Sequence, residues 1–224
     1  MLTACPGDKP VRERIYEAFD KIGYEIRTPE KLKDSVYCAE DYETPQKRNR
    51  IIIIGVPKGG AISEEEFYEA LTARKCKKYT TVRDAIGDMP KFRLLEKPRK
   101  VGRENVSHEL VGDCPYTLHI PRYHSPRDVE VFRYWLSHDM NHASMEARKQ
   151  FYTEITGKHS NHVKYRNLEW DKPSPTVVAH LHKDGLMFIL PDKEQLRSIT
   201  IREAACLQSF PLDYEFIASR PYCY

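Results

Sequence analysis

The sequence lacks long apolar runs, and none approaches the roughly 20 residues that a membrane-spanning helix requires. No secretory signal peptide opens the chain either. These two absences lead us to expect a cytoplasmic protein with no membrane partner.

Paired cysteines and a dominant charge are also missing. The six cysteines form no C-x-x-C pair, which argues against a disulfide framework or a cysteine-rich zinc site, so we expect reduced thiols. The 36 Lys and Arg residues face 33 Asp and Glu residues, a net charge of only +3. Nucleic acid is therefore permitted as a partner, but any basic patch must come from local arrangement. A chain of 224 residues can hold one large or two small domains.

What is present begins with residues 197–213, which read R-S-I-T-I-R-E-A-A-C-L-Q-S-F-P-L-D. The spacing of Thr200 and Glu203 predicts a capping box, in which each side chain bonds the backbone N–H of the other residue. A helix should therefore begin at Ile201, and it cannot continue through Pro211. The pattern alone is equally typical of a structural helix that packs against a sheet.

Helix and strand signals alternate before residue 60. Residues 11–22 predict an amphipathic helix that ends before Gly23, and residues 24–27 and 36–39 predict short strands. Four consecutive isoleucines at residues 51–54 predict a strand covered on both faces, as in an α/β sheet.

Three polar residues precede that run with a period of two. On an extended chain Gln46, Arg48 and Arg50 project from the same side. Two guanidinium groups and an amide suit phosphate oxygens and a base carbonyl. A solvated strand edge with ordinary surface arginines explains the same pattern, and charge alone favours it.

The middle of the chain carries weaker signals. Ser125 and Pro126 predict the start of a helix. His138 and His142 lie one turn apart, but no third ligand is placed by the sequence, so we expect no metal. The K-D-G at residues 183–185 predicts a hairpin turn.

Two basic segments are consistent with contact to phosphate. N-H-V-K-Y-R contains Lys164 and Arg166 beside an aromatic ring, and K-P-R-K occupies residues 97–100. Solvated loops explain both segments equally well.

Three strings together resemble the DNA (cytosine-5) methyltransferase family. R-E-A-A-C-L-Q-S-F-P at 202–211 resembles the motif R-E-x-A-R-x-Q-x-F-P, with Cys206 in place of the usual arginine. P-Q-K-R-N-R at 45–50 resembles P-Q-x-R-x-R, and T-V-R-D-A-I-G-D-M-P at 81–90 resembles T-V-R-D-A-I-x-x-L-P. An E-N-V at 104–106 also occurs in the family, but there it precedes P-Q-x-R-x-R, so we interpret it as coincidence. The residues of the closing motif that the resemblance marks as structural are Arg197, Thr200, Arg202, Glu203, Gln208 and Pro211.

The resemblance implies roles for individual residues. Gln46, Arg48 and Arg50 would support a flipped-out cytosine, and Thr176 would touch the DNA backbone beside it. Residues 91–196 would form the target-recognition region, where Lys164 and other basic residues would bind double-stranded DNA.

The fold implied is α/β. Residues 1–90 would be the C-terminal part of the catalytic domain, the end of a Rossmann-like methyltransferase sheet. A small mixed α+β target-recognition domain would follow at 91–196. Residues 197–224 would form the closing helix and a truncated return to the catalytic domain.

The groups that the family uses for chemistry are missing from the sequence. Its nucleophile lies in a Pro-Cys dipeptide, whereas Cys5-Pro6 and Cys114-Pro115 have the reverse order. The F-x-G-x-G cofactor loop and the final G-N-A-V-P-P motif are absent as well. We therefore expect the C-terminal part of a bacterial restriction-modification methyltransferase, inactive alone. A separate N-terminal chain would supply the nucleophile and most of the S-adenosyl-L-methionine site. The alternatives are a non-catalytic sequence-specific DNA-binding subunit and an inactive gene remnant.

Overall fold

The computed structural model describes residues 4, 5 and 7–217, without the side chains at positions 182 and 184. Within it the chain divides into two compact units. The first comprises Met1–Glu43 and Lys47–Tyr79, and the second comprises Thr44–Gln46 and Thr80–Tyr224.

The first 79 residues form short elements joined by turns. β1 pairs with β5 and β2 pairs with β4, both antiparallel. The helix and the two strands predicted before residue 40 are confirmed, although the strands are shorter than expected. In chain order the elements are α1 (Val11–Lys21), β1 (Tyr24–Glu25), β2 (Val36–Cys38), β3 (Gln46–Lys47), β4 (Asn49–Ile51), β5 (Val56–Pro57) and α2 (Glu64–Ala73).

The isoleucine run does not form the predicted strand covered on both faces. Only Ile51 belongs to β4, and it is 37% exposed, as is Ile52 at 36%. Just beyond β4, Ile52 N donates to Ser35 O at 2.9 Å, and the remaining backbone bonds of the run go to a side chain. The Tyr68 hydroxyl donates to Ile52 O and accepts from Ile54 N, each at 3.0 Å. The run therefore leaves the pairing with the β2 segment after Ile52 and is held by the buried Tyr68 side chain.

The second unit mixes helices with one long hairpin. β6 and β7 pair antiparallel, and β8 lies beside Pro45, whose carbonyl accepts from Ser174 N at 2.9 Å. The helix predicted at Ser125 is confirmed as α4, with Ser125 in a capping box. The elements are α3 (Val82–Ile86), β6 (Phe92–Val101), β7 (Glu104–Leu110), α4 (Pro126–Ser137), α5 (Met145–Thr156), β8 (Ser174–Pro175), α6 (Leu181–Asp184) and α7 (Ile201–Cys206).

Two apolar clusters form the core of this unit. One surrounds α3 and α7, and the other surrounds α4 and α5. Ile189 packs in the second cluster while its neighbour Leu190 packs in the first. An extended chain points successive side chains to opposite faces, so this short segment joins the two clusters.

The hairpin predicted around K-D-G is wrong. Residues 181–187 form α6 and a following 3-10 turn, Gly185–Met187. Gly185 adopts right-handed helical angles, φ −58° and ψ −22°, instead of a hairpin conformation. Ile189 forms bridges with Asn167 and Ser198, so the proposed second strand pairs with other segments.

Among the described residues the longest helices, α4 and α5, have 12 residues each. Within that part of the chain no helix combines the length and apolarity that crossing a bilayer demands.

Candidate nucleic-acid interface

The helix α7 is held by a buried ion pair. All six of its residues are buried, and Thr200 and Glu203 form the predicted capping box. The Glu203 carboxylate also accepts from Arg197 Nη1 and Nη2, both at 2.7 Å, and the two side chains are 1–2% exposed. Burial alone would raise the pKa of Glu203, but the Arg197 guanidinium holds this pKa below its usual value. The carboxylate therefore stays ionised and fixes both the cap and the preceding turn.

Arg202 joins α7 to segments on either side of it. Its Nε donates to Thr117 O at 2.9 Å, and Nη2 donates to Thr117 Oγ1 at 2.6 Å and to Tyr214 O at 2.8 Å. Pro211 O accepts from Arg202 Nη1 at 3.4 Å. Because its donors are occupied and the residue is buried, Arg202 has a structural role here.

Two further positions of this segment, Gln208 and Cys206, also serve packing. Gln208 Nε2 donates to Ala204 O at 3.2 Å, which closes the last turn of α7. Cys206, at the position where the resemblance marks a departure, lies in the apolar cluster around α3 and α7. Burial raises the pKa of the Cys206 thiol, so the group stays neutral.

Three buried histidines surround this network. His119 Nε2 donates to Pro90 O at 2.8 Å, and its Nδ1 lies 3.0 Å from Thr200 Oγ1. His108 Nε2 donates to Gln195 O at 2.7 Å, and His124 Nε2 accepts from Ser198 N at 3.1 Å. Burial lowers the pKa of all three imidazoles, most strongly that of His124. Neutral rings satisfy these hydrogen bonds, and protonation of His124 Nε2 would remove one.

Gln46 lies inside the second unit, not on an open surface. Its Nε2 donates to Leu207 O at 3.2 Å, and its Oε1 accepts from Val177 N at 3.3 Å. The side chain is therefore a bridge between the end of α7 and the segment that carries Thr176. Thr176 is half-buried beside this bridge.

Arg48 and Arg50 belong to the first unit. Arg50 is exposed, and its Nη1 donates to the adjacent Asn49 O at 2.7 Å. Burial lowers the pKa of Arg48, and the nearby Arg50 guanidinium lowers it further. Two neighbouring cations of this kind favour an anion placed between them, because its charge offsets their repulsion.

Arg166 is not on the solvated loop that its sequence context permits. Its Nε donates to Met187 O at 3.4 Å, and the guanidinium carbon lies 5.6 Å from the centre of the Phe188 ring. Burial lowers its pKa. Arg166 lines a cleft of about 440 Å³ together with the exposed Lys164 and Lys183. This cleft is a basic surface suited to an anionic ligand.

The glycine-rich segment after β5 offers no cradle for a cofactor. Pro57 has no N–H, Lys58 N donates to Gly23 O at 2.9 Å, and Gly60 N donates to Pro57 O at 3.0 Å. Backbone N–H groups that bind a phosphate or carboxylate must point at it unpaired. The described residues here do not fit S-adenosyl-L-methionine.

No metal centre is formed by the described side chains, since no three potential ligands come together. His138 Nδ1 lies 3.0 Å from Tyr134 O, whereas His142 Nδ1 lies 2.8 Å from Asp139 Oδ1. The two histidines therefore bond separate partners.

Sequence patterns did not predict the roles of Thr117 and the three buried histidines, or the β6–β7 hairpin. No period marks the histidines, because they come from a strand and an irregular loop. The hairpin did carry a signal, since Gly102 and Arg103 separate two segments of extended residues.

The family model that matches this chain describes a DNA methylase, and two curated relatives are type II methyltransferases. A family model described as C-5 cytosine-specific DNA methylase matches residues 6–224. The chain is 31% identical to the type II methyltransferase M.Bpa9945I of Bacillus paralicheniformis, over 98% of this chain and 52% of the relative. It is 29% identical to M1.HphI of Haemophilus parahaemolyticus, over 93% of this chain and 45% of the relative. The chain thus spans about half the length of these curated relatives.

A solved structure resembles the fold. It is a prophage-encoded E. coli chain assigned as a DNA modification methyltransferase, with a TM-score of 0.50 and 20% sequence identity. The match covers 95% of this chain and 57% of that chain. At this identity the likeness supports a shared α/β fold alone.

Proposed function

The chain belongs to the C-5 cytosine-specific DNA methylase family, and we propose that it is the C-terminal part of a DNA (cytosine-5) methyltransferase that acts on a specific duplex sequence. S-adenosyl-L-methionine would be the methyl donor. The type II relatives support a role in restriction-modification, in a bacterial cytoplasm. The observation that carries the proposal is the buried Arg197–Glu203 pair at the start of α7, because it gives a structural reason for the family motif.

The proposed organisation assigns each segment a part of the whole enzyme. Residues 1–90 complete a Rossmann-like sheet, 91–196 form the target-recognition region, and 197–224 return to the catalytic domain. In this scheme Arg48 and Arg50 hold the anionic backbone and the flipped base. Gln46 holds the Thr176 segment through Val177 N, while Lys164 and Arg166 meet the DNA. Extruding a base costs a few kcal/mol, which such contacts offset.

An N-terminal methyltransferase part, which the length of the curated relatives leaves room for, is proposed to supply the nucleophile. The thiols described within this chain are unsuited to the task, since none follows a proline and the Cys206 thiol is kept neutral by burial. The first unit supports such a partner. Val36 and Ile51 pair across β2 and β4 while remaining 47% and 37% exposed. An apolar face of this kind fits the missing part of a methyltransferase sheet.

The test is reconstitution. The chain is co-expressed with an N-terminal methyltransferase part that carries F-x-G-x-G, P-C-Q and E-N-V, and methyl transfer from labelled S-adenosyl-L-methionine to mixed-sequence DNA is measured. We expect transfer by the complex and none by this chain alone. Transfer by the isolated chain would refute the missing-nucleophile argument. If the complex forms and binds DNA without transfer, a non-catalytic DNA-binding subunit is the correct description. Absence of both complex and DNA binding would indicate an inactive remnant.

A further inference from the structure

The β6–β7 hairpin consists of two parts with different registers. Near its base Phe92 pairs with Leu110 and Leu94 with His108; further out Arg99 pairs with Val106. Between these parts β6 advances from Leu94 to Arg99 while β7 moves only from His108 to Val106, so β6 carries extra residues. One of these extra residues is a proline at position 98, which has no N–H to pair and favours such an irregularity.

The base of the hairpin is fixed to the core. Phe92 N donates to Gln195 Oε1 at 2.9 Å, and His108 Nε2 donates to Gln195 O at 2.7 Å. Phe92 and His108 are both buried. The outer part, residues 96–105, is exposed at every position, and we call it the hairpin arm. A buried base thus carries an exposed two-stranded ribbon.

The turn at the end of the arm is tight. Val101 pairs with Glu104, which leaves Gly102 and Arg103 as a two-residue loop. Gly102 adopts φ +61°, a conformation that L side chains rarely take. This geometry fixes Arg103 at the tip.

Positive charge predominates on the arm. Lys97, Arg99, Lys100 and Arg103 outnumber Glu96 and Glu104. Arg99 Nη2 lies 3.7 Å from Glu109 Oε2, so part of its charge is compensated. Among the described side chains, no ion pair involves Lys97, Lys100 or Arg103. Three cations on one anchored ribbon therefore remain available to an external anion.

We propose that the hairpin arm binds duplex DNA and that Lys97, Lys100 and Arg103 contact its backbone phosphates. The major groove of DNA admits a two-stranded β-ribbon, and lysine and arginine are the usual partners of phosphate oxygens. This inference rests on the proposed function, which gives double-stranded DNA as the partner. It adds a binding surface to the one formed by Lys164 and Arg166.

The experiment measures how binding depends on salt. The whole chain and the variant K97Q/K100Q/R103Q are titrated with a labelled mixed-sequence duplex at a series of sodium chloride concentrations, using fluorescence anisotropy. Each phosphate contact contributes about 0.9 to the slope of log K against log salt, so the variant should lose about 2.7 units of slope. The control K33Q/K77Q/K78Q removes the same number of exposed positive charges from the first unit and should retain the slope. Urea unfolding of both variants verifies that the fold is kept.

Each outcome decides between the two proposals. A wild-type chain that binds duplex DNA, with an unchanged slope in the arm variant, overturns the arm inference and leaves the proposed function standing. An equal loss of slope in both variants overturns it too, because net charge would then be the cause. A chain that binds no duplex at any salt concentration removes the DNA partner and the arm together.

Discussion

Gln46 and Leu207 lie 161 residues apart in the chain, yet the side-chain amide of the first donates to the main-chain carbonyl of the second at 3.2 Å. The other end of the same amide accepts from Val177 N. One buried side chain thus connects the P-Q-K-R-N-R segment, the end of α7 and the segment that carries Thr176.

Replacing Gln46 should weaken both the fold and the site. In Gln46→Ala the Val177 N–H and the Leu207 carbonyl lose their partner inside the protein, which costs about 1–3 kcal/mol of unfolding free energy. Urea unfolding measures this loss. Gln150→Ala is the matched control, because the exposed Gln150 side chain donates to the exposed Glu154 side chain and its loss should leave stability unchanged. Equal stability of the two variants would contradict the bridging role.

Breaking the buried Arg197–Glu203 ion pair should lower the unfolding free energy more than replacing Gln46 does. Arg197→Met leaves the Glu203 carboxylate buried without its main counter-charge, at a cost of about 3–5 kcal/mol. The exposed pair Arg83–Asp171 provides the comparison, and Arg83→Met should unfold at the wild-type urea concentration. If Arg197→Met also unfolds there, the pair does not hold α7 in place.

The buried histidines predict a loss of stability in mild acid. Their pKa values are lowered in the folded chain, so below about pH 6.5 the unfolded chain binds more protons than the folded one. Stability is therefore full at neutral pH and falls as the pH drops from about 6.5. Each such histidine contributes at most about 1.4 kcal/mol of lost unfolding free energy per pH unit. Unfolding by urea between pH 7.5 and about 5 measures the slope.

Two variants identify the source of that slope. His124→Gln removes one buried imidazole, and any folded variant should show a shallower dependence on pH. His138→Gln changes an exposed ring and should keep the wild-type dependence. A dependence that is flat in the wild-type chain would mean that these rings are already protonated or accessible in the fold.

Replacing Arg50 tests the proposed site without disturbing the fold. Among the described residues, its exposed side chain donates to the neighbouring Asn49 carbonyl, a contact within its own strand, so Arg50→Ala should unfold like the wild type. In the reconstituted complex it should lower kcat/KM about 10-fold or more, as expected for the loss of a charged hydrogen bond. Arg74→Ala, an exposed arginine after α2, serves as the control. Equal activity of Arg50→Ala and the control would exclude Arg50 from the site.

Local signals were interpreted correctly from the sequence. The capping box at Thr200, the helix start at Ser125 and the end of α1 before Gly23 all depend on residues within one turn of each other. The family resemblance of residues 202–211 was equally visible, and the match over residues 6–224 confirms the family. The domain bounds and the roles of individual site residues stay predictions.

Predictions that needed distant partners were wrong. No local pattern indicates that Tyr68 bonds the isoleucine run, or that Ile189 bridges Asn167 and Ser198 instead of forming a hairpin. For Arg166 the sequence left phosphate contact and a solvated loop equally open, because packing against Phe188 is invisible in N-H-V-K-Y-R.

The sequence by itself determined the family, the start of α7 and the lack of a Pro-Cys dipeptide, since each depends on residues that are neighbours in the chain. Only the tertiary structure decided that Gln46 is a bridge, that Arg197 neutralises Glu203 and that a basic ribbon stands on a fixed base. The physical reason is that burial and pairing across many residues depend on which elements pack together, and no short string of residues specifies that.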